Sequence, residues 1–189
     1  MANGKLEALL AEWRRKRLLI LGLGVSNRPL ARHCCWKPGA GLRAATGRTG
    51  RSWTGRSLDL EEQGLELRLG AGYLENLEAD VVFRTPGMHP ANPALEALRR
   101  RGAAVTSEME IFFQVCPCPV IAVTGSDGKT TTTTLLAEML RAAGKTVWVG
   151  GTLASPFCRR WGAWPPRTGR WWSSAPSSSW TWTAAATLP

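Results

Sequence analysis

A glycine-containing loop between an apolar segment and an amphipathic segment constrains this 189-residue chain more than any other feature. The apolar segment is Val120 to Val123, and it leads directly into the loop Thr124-Gly125-Ser126-Asp127-Gly128-Lys129-Thr130-Thr131. Apolar residues then recur at helical spacing, and Gly144 ends the helix; they are Leu135, Leu136, Met139 and Leu140. A strand, a glycine loop, Lys-Thr and a helix in this order predict a βα unit of a parallel α/β fold.

The same loop has the composition of a nucleotide phosphate site. Backbone N–H groups from Gly125 to Lys129 can form an anion nest at the start of a helix. We expect Lys129 to reach the β- and γ-phosphates and the Thr130 hydroxyl to ligate Mg²⁺. The strict P-loop pattern requires a glycine where this chain has Val123, so only the shorter Gly-x-x-Gly-Lys-Thr pattern is present. A turn that binds nothing is the alternative.

A second glycine turn follows the first predicted strand, Arg17 to Leu21. Its residues are Gly22-Leu23-Gly24-Val25-Ser26-Asn27, and a helix with Pro29 near its start comes next. A strand, a Gly-x-Gly turn and a helix start form the first unit of a dinucleotide-type fold. Because Asn27 occupies the third glycine position, a tight turn without a ligand stays an open alternative.

Short strands and helices alternate along the rest of the first 116 residues. Strands are predicted at 66–69, 79–83 and 104–105, and helices at 4–16, 93–101 and 108–115, the last with Met109, Phe112 and Phe113 on one side. Such alternation is typical of a doubly wound, mostly parallel sheet. The sequence therefore predicts an α/β chain with a Rossmann-like parallel-sheet domain at 1–116 and the start of a P-loop ATPase domain at 117–151.

The net charge of +10 and the ten tryptophans are concentrated in two segments. Residues 34–57 and 152–189 contain no acidic residue, hold eight of the ten tryptophans and account for nine of the ten net charges. The rest has the composition of a cytoplasmic enzyme, with no apolar run long enough to span a membrane and no signal peptide. A basic nucleic-acid binder is an alternative, but these arginines show no helical or strand periodicity.

Several motifs resemble the Mur ligase family. Ile121-Ala122-Val123-Thr124 followed by Gly125 to Thr131 is similar to the ATP loop of that family. Gly22 to Ser26, Thr85-Pro86-Gly87 and the segment 106–113 resemble its D-glutamate-adding members. The resemblance implies an ATP- and Mg²⁺-dependent ligase that adds D-glutamate to UDP-N-acetylmuramoyl-L-alanine. Such an enzyme serves peptidoglycan biosynthesis, and with it cell wall biogenesis, cell shape and cell division.

The resemblance also implies roles for individual residues. ATP would be held by Thr124, Gly125, Ser126, Asp127, Gly128, Lys129, Thr130 and Thr131, with Lys129 as catalytic residue and Thr130 as metal ligand. The UDP-linked substrate would be held by Gly22, Leu23, Gly24, Val25, Ser26, Thr85, Pro86 and Gly87. The implied partners are small molecules, without nucleic acid or membrane, for a cytoplasmic monomer. A different Mur or folylpolyglutamate-type ligase, and a non-catalytic nucleotide-binding module, are the alternatives.

The two anomalous segments suggest a shifted reading frame. Tryptophan has one codon, and a frame made from the last base of each codon and the first two of the next turns Trp171-Trp172 into Val. The same shift turns 33–37 into Leu-Leu-Leu-Glu, which suits a helix end. We therefore expect the second strand and its acidic end to be missing, the tail at 152–189 to be disordered, and the chain as written to form no amide. A native Ser/Trp-rich disordered tail is the alternative.

Overall fold

The computed structural model describes residues 4–24, 27–35, 41–47, 58–62, 64–116, 120–150 and 169–173. The chain divides into two compact units, Leu6–Glu108 and Met109–Pro189, the second including Met1–Lys5. The division falls at the start of the helix that the sequence assigns to the end of the first domain. Within the described ranges, no helix is both long and apolar enough to cross a bilayer.

Strands and helices alternate through the first unit. The helices are α1 (Gly4–Trp13), α2 (Asn27–Cys35), α3 (Leu58–Glu61) and α4 (Pro93–Arg100). The strands are β1 (Arg17–Leu21), β2 (Gly41–Thr46), β3 (Glu66–Leu69), β4 (Val81–Arg84) and β5 (Ala104–Thr106). The alternating α/β pattern that the sequence predicts is therefore confirmed.

The five strands form one parallel sheet in the order β3-β2-β1-β4-β5. The central strand β1 is buried from Leu18 to Leu21, as expected for a parallel strand that is covered on both faces. Phe83 on β4 is fully buried and meets Trp13 of α1 edge-to-face, with ring centroids 5.0 Å apart. The core of this unit is therefore centred on β1 and β4.

The second strand is present, and the expectation that it would be missing is wrong. Gly41–Thr46 lies parallel to β1 and β3, with Leu42, Ala44 and Ala45 buried. Arg43 stays exposed, and its Nε forms an ion pair with Oε2 of Glu66 on the neighbouring strand β3 at 2.9 Å. Small apolar residues at these positions are enough for a buried strand, although the segment is basic overall. The acidic residue expected at the end of this strand is absent, since the strand ends at Thr46 and Gly47 follows it.

The second unit contains a smaller parallel sheet. Its helices are α5 (Glu108–Val115) and α6 (Lys129–Ala142), and its strands β6 (Val120–Ala122), β7 (Thr146–Gly150) and β8 (Gly169–Ser173) are ordered β6-β8-β7. In the backbone register, Trp171 of β8 lies opposite Val120 and Trp148. The structure thus has a strand at 169–173, where the sequence predicts disorder. The rest of the tail lies outside the described residues, and the shifted frame stays a prediction.

The apolar faces of α5 and α6 differ from those that the sequence predicts. On α6, Leu135 and Met139 are 60% and 68% exposed, while Ala137 is buried against the sheet with Val147. On α5, Phe112 is fully buried, but Phe113 is 42% exposed. Consecutive helical residues point about 100° apart, and the buried face of α5 includes Ile111 and Phe112 but not Phe113.

An ion pair joins the start of β1 to the start of β4, at the end of these strands that lies opposite the glycine turn. Asp80 accepts hydrogen bonds from the Arg17 backbone N–H at 2.7 Å and from Arg17 Nη2 at 2.9 Å. These hydrogen bonds lower the pKa of Asp80 to about 2. A carboxylate whose pKa is lowered by folding stabilises the folded state above its unfolded pKa, and this contribution is lost as pH falls through the folded value.

We therefore expect Asp80→Asn to lower the melting temperature at pH 6. The deficit relative to wild type should shrink from about pH 4 downwards and disappear only below about pH 2, where the wild-type carboxyl is protonated as well. Thermal melts monitored by circular dichroism across this range provide the measurement. Glu62→Gln is the control, since Glu62 is exposed and forms no ion pair within the described ranges. A deficit that is constant with pH would contradict the assignment.

Candidate nucleotide-binding sites

The glycine turn after β1 lies where the strand order of the larger sheet reverses. The chain moves outward from β1 to β2 and β3, then returns to place β4 on the other side of β1. In open α/β sheets, ligands bind at such a reversal, outside the carboxyl ends of the strands. Gly22 follows β1 and Thr85 follows β4, so both residues stand at that crevice.

Gly22 and Thr85 are held close together. The Thr85 N–H donates to the Leu21 carbonyl at 2.9 Å, and the Gly22 N–H donates to the Ala45 carbonyl at 2.8 Å. Gly22 has φ of +81°, and a Cβ built on it would lie 3.0 Å from both Cβ and Cγ2 of Thr85. Glycine is required here for the left-handed backbone and for the close approach of the two turns.

The other predicted substrate residues divide into three groups. Leu23 is buried, and Gly24 lies 4.0 Å (from a built Cβ) from the Thr85 hydroxyl oxygen. Pro86 and Gly87 are exposed on the turn that Met88 N–H closes onto the Thr85 carbonyl at 3.0 Å. Val25 and Ser26 lie outside the described residues. The structure therefore brings Gly22, Gly24 and Thr85 together and leaves Pro86 and Gly87 at the rim.

Asn27 is the polar residue at the third position of the glycine pattern. It is 1% exposed, and its Nδ2 donates to the carbonyls of Gly22 at 2.9 Å and of Leu21 at 3.4 Å. The side chain thus bridges the start of α2 to the end of β1. The available signal was chemical: a side-chain amide at the start of a helix can bond a neighbouring turn.

The predicted phosphate loop, Gly125–Thr131, joins β6 to α6 in the second unit. Gly125 and Gly128 have φ of +155° and +72°, and Gly128 is the residue that precedes the first helical residue, Lys129. Within the described ranges, the backbone N–H groups of Gly128, Lys129 and Thr130 donate to no protein acceptor. Unpaired N–H groups at a helix start, together with the helix dipole, favour an anion.

Lys129 folds back over the loop. Its Nζ donates to the Ser126 carbonyl at 2.7 Å and also to the Gly125 carbonyl, and the residue is only 7% exposed. Thr124, Ser126 and Asp127 are exposed. The arrangement places one buried ammonium group beside the unpaired N–H groups, which suits a phosphate of high negative charge.

The threonines after Lys129 have different surroundings. Thr130 and Thr131 are exposed on the first turn of α6, and the Thr134 hydroxyl donates to the Thr130 carbonyl at 2.9 Å. Thr133 is buried, and its hydroxyl oxygen has no partner within the described part of the chain. No group of three or more His, Cys, Asp or Glu side chains that could hold a metal occurs among the described residues. An exposed Thr130 hydroxyl fits Mg²⁺ only as one ligand among phosphate oxygens and waters.

Comparison with known proteins gives concordant matches. Residues 123–164 match the family model of the Mur ligase middle domain. A UDP-N-acetylmuramoylalanine–D-glutamate ligase of Clostridium novyi is 43% identical over 145 residues, which are 76% of this chain and 31% of that protein. Its counterpart in Clostridium botulinum is 45% identical over 143 residues, again with 31% of that protein covered.

Two solved structures are also similar. A murein peptide ligase of Psychrobacter arcticus is 27% identical with a TM-score of 0.44, over 72% of this chain and 28% of that one. A UDP-N-acetylmuramate–alanine ligase of Thermotoga maritima is 23% identical with a TM-score of 0.43, over 71% and 31%. The family model matches residues 123–164, and the chain spans 31% of the length of the two clostridial relatives to which it is similar.

Proposed function

We propose that this chain binds ATP through Gly125–Thr131 and a UDP-linked sugar acid through the turns that contain Gly22 and Thr85. These are two ligands of an ATP-dependent ligase that adds D-glutamate to UDP-N-acetylmuramoyl-alanine in peptidoglycan synthesis. The observation that carries the proposal is the phosphate loop, where unpaired backbone N–H groups and the buried Lys129 ammonium group converge within a segment matched to the Mur ligase middle domain.

The loop supports ATP through its charge arrangement. A triphosphate offers several oxygens, and a nest of N–H groups at a helix start holds one phosphate while a lysine contacts the next. Lys129 is the first residue of α6, so its side chain is within reach of a phosphate that is bound by the N–H groups of the loop. Thr130 is the residue that would contact Mg²⁺, which supplies charge neutralisation for the β- and γ-phosphates when bound.

The turn between β1 and β4 supports the UDP-linked ligand. A diphosphate needs close backbone approach, and Gly22 and Gly24 present no side chain there. Thr85 offers a hydroxyl beside them, and the exposed Pro86 and Gly87 leave room for the nucleoside. A folylpolyglutamate-type ligase has no need of a uridine nucleotide. Binding of UDP therefore separates a ligase with a UDP-linked substrate from a folylpolyglutamate-type ligase.

For the chain as written we propose ligand binding without amide formation. Residues 152–189 contain no Asp or Glu, and no acidic residue follows β2 at Thr46 and Gly47. A ligase reaction through a phosphorylated carboxylate requires metal ions held in place, and carboxylates are the usual protein ligands of Mg²⁺. We further propose that the chain acts in the cytoplasm as a monomer on small molecules, without nucleic acid or membrane.

Titration with ATP and Mg²⁺ tests the central proposal. We expect the wild-type chain to bind ATP and Lys129→Ala to bind it about 10- to 100-fold more weakly, because a charged hydrogen bond to phosphate contributes about 1.5–3 kcal/mol. Isothermal titration calorimetry measures both affinities. Lys145→Ala is the matched control, since Lys145 is an exposed lysine just beyond the other end of α6.

Equal ATP affinity of Lys129→Ala and wild type would contradict the proposal. Equal losses in Lys129→Ala and Lys145→Ala would also contradict it, because a general charge effect would then account for binding. A loss in Lys129→Ala that persists at higher ionic strength supports a specific phosphate contact, since screening weakens exposed charges much more than buried ones.

A further inference from the structure

We infer that Asn27 is a positioning residue that turns the Leu23 N–H toward the phosphates of the UDP-linked ligand. The inference rests on the proposed function of the turn after β1 and assigns a role to the residue that replaces the third glycine. It depends on three features of the described residues: the burial of Asn27, the direction of its hydrogen bonds, and the unpaired donors beside it.

The Asn27 side chain is locked in one orientation. It is 1% exposed, and its Nδ2 lies 2.9 Å from the Gly22 carbonyl oxygen and 3.4 Å from the Leu21 carbonyl oxygen. Its Oδ1 has no partner within the described ranges. A flipped amide would place Oδ1 against two carbonyl oxygens, so the donors must face the turn.

This lock fixes the peptide that joins Gly22 to Leu23. The peptide is planar and trans, so its C=O and N–H point in opposite directions. Because the Gly22 carbonyl is held by Asn27, the Leu23 N–H points away from the Asn27 side chain. Gly22 reaches this orientation through its φ of +81°.

The donors that result are not used by the protein. In the part of the chain that the structure describes, neither the Leu23 N–H nor the Gly24 N–H donates to a protein acceptor. By contrast, the Gly22 N–H is bonded to Ala45 and is unavailable to a ligand. Leu23 is buried, and buried N–H groups are rarely left without an acceptor, so a ligand oxygen or an ordered water is expected at its N–H.

Asparagine does what glycine at the same position cannot do. A third glycine allows close packing of helix and strand but leaves the preceding carbonyls without a side-chain donor. Here the amide closes the gap between α2 and β1 and holds the carbonyls. Aspartate has nearly the same shape but places a carboxylate oxygen against the same carbonyls, so the Gly22–Leu23 peptide would be pushed out of position.

UDP is the probe for the test, with the full chain labelled with ¹⁵N. We expect UDP to shift the Leu23 amide proton of the wild type downfield, as a new hydrogen bond to phosphate does. In Asn27→Asp and in Asn27→Gly we expect this shift to be lost and the UDP affinity to fall at least tenfold. Asn27→Gly introduces no repulsion and so remains informative where Asn27→Asp fails to fold.

Asn92→Asp is the matched control. Asn92 also stands at a helix start, but its side chain accepts a hydrogen bond from the Ala94 N–H at 2.9 Å. Aspartate keeps that acceptor, so Asn92→Asp should retain wild-type UDP affinity and the Leu23 shift. Asn27 and Asn92 both lie in the unit Leu6–Glu108, so a thermal melt of this unit that stays cooperative shows that each of the three variants is folded.

The outcomes separate this inference from the proposed function. If the wild type binds UDP and Asn27→Gly binds it equally well with the same Leu23 shift, the positioning role is overturned and the proposed site stands. If the wild type shows no response to UDP, both are overturned. A loss of UDP affinity that appears in Asn27→Gly with the Leu23 shift intact assigns Asn27 a packing role and also overturns the inference.

Discussion

Phe83→Ala is expected to lower the free energy of unfolding by about 3–5 kcal/mol, because it removes a large side chain from the most buried strand pair. Phe83 is fully buried on β4, and its ring meets Trp13 edge-to-face. The change leaves a cavity and also removes the aromatic contact. A loss of this size is a large share of the stability of a small domain, so the larger sheet should unfold at a clearly lower urea concentration than in the wild type.

Urea denaturation followed by Trp fluorescence measures the effect. Phe113→Ala is the matched control, since Phe113 is the same residue type but 42% exposed on α5. We expect it to cost much less than the substitution at Phe83. Similar losses at both positions would mean that Phe83 is not part of a tightly packed core.

Gly22→Ala is the second prediction with a large effect, and it acts on both stability and ligand binding. The left-handed backbone at φ of +81° costs about 1–2 kcal/mol for a residue with a Cβ. The added atom would also lie 3.0 Å from two atoms of Thr85, and relieving that overlap costs about 1–3 kcal/mol. We expect a combined loss of about 2–5 kcal/mol, together with loss of UDP binding because the two turns must separate.

Two other glycines separate these contributions. Gly102 has φ of +88° but open space around it, so Gly102→Ala reports the backbone cost alone. Gly41 has open space and no left-handed φ, so Gly41→Ala should be close to neutral. The expected order of destabilisation is Gly22, then Gly102, then Gly41. Equal effects at Gly22 and Gly102 would show that Thr85 yields without cost.

The sequence was sufficient to predict the elements whose side chains follow a clear period. The strands at Arg17–Leu21 and Glu66–Leu69 and the helix at Glu108–Val115 have the predicted bounds. Apolar runs bounded by glycine and proline leave few alternatives at these places. The two glycine turns follow strands as predicted. These turns can be predicted because the backbone conformation at a strand end depends on the residues found there.

Features that depend on neighbouring strands were not predicted. The strand at Gly41–Thr46 was missed because its residues are small and its surroundings basic, while the structure supplies partners on both sides. The strand at Gly169–Ser173 likewise owes its place to pairing with β6 and β7 rather than to its own pattern. Tertiary partners override local propensity in this way because ladder hydrogen bonds belong to the backbone.

The hydrogen bonds of Asn27 also could not be predicted from the glycine pattern that follows β1. A fingerprint compares residue types at fixed spacing and therefore counts asparagine as a mismatch. The hydrogen bonds from Nδ2 to Leu21 and Gly22 become visible only when the end of β1 and the start of α2 are placed together.

The contacts of Lys129 have a consequence for which anions the loop can retain. Its ammonium group already donates hydrogen bonds to the carbonyls of Gly125 and Ser126. An anion that binds Lys129 must replace these hydrogen bonds, so the binding free energy is only the difference between the new contacts and the old ones. Chloride or a single sulfate offers little advantage in that exchange. A polyphosphate chain engages the amine and several N–H groups at once, so multivalency rather than charge alone makes the loop selective.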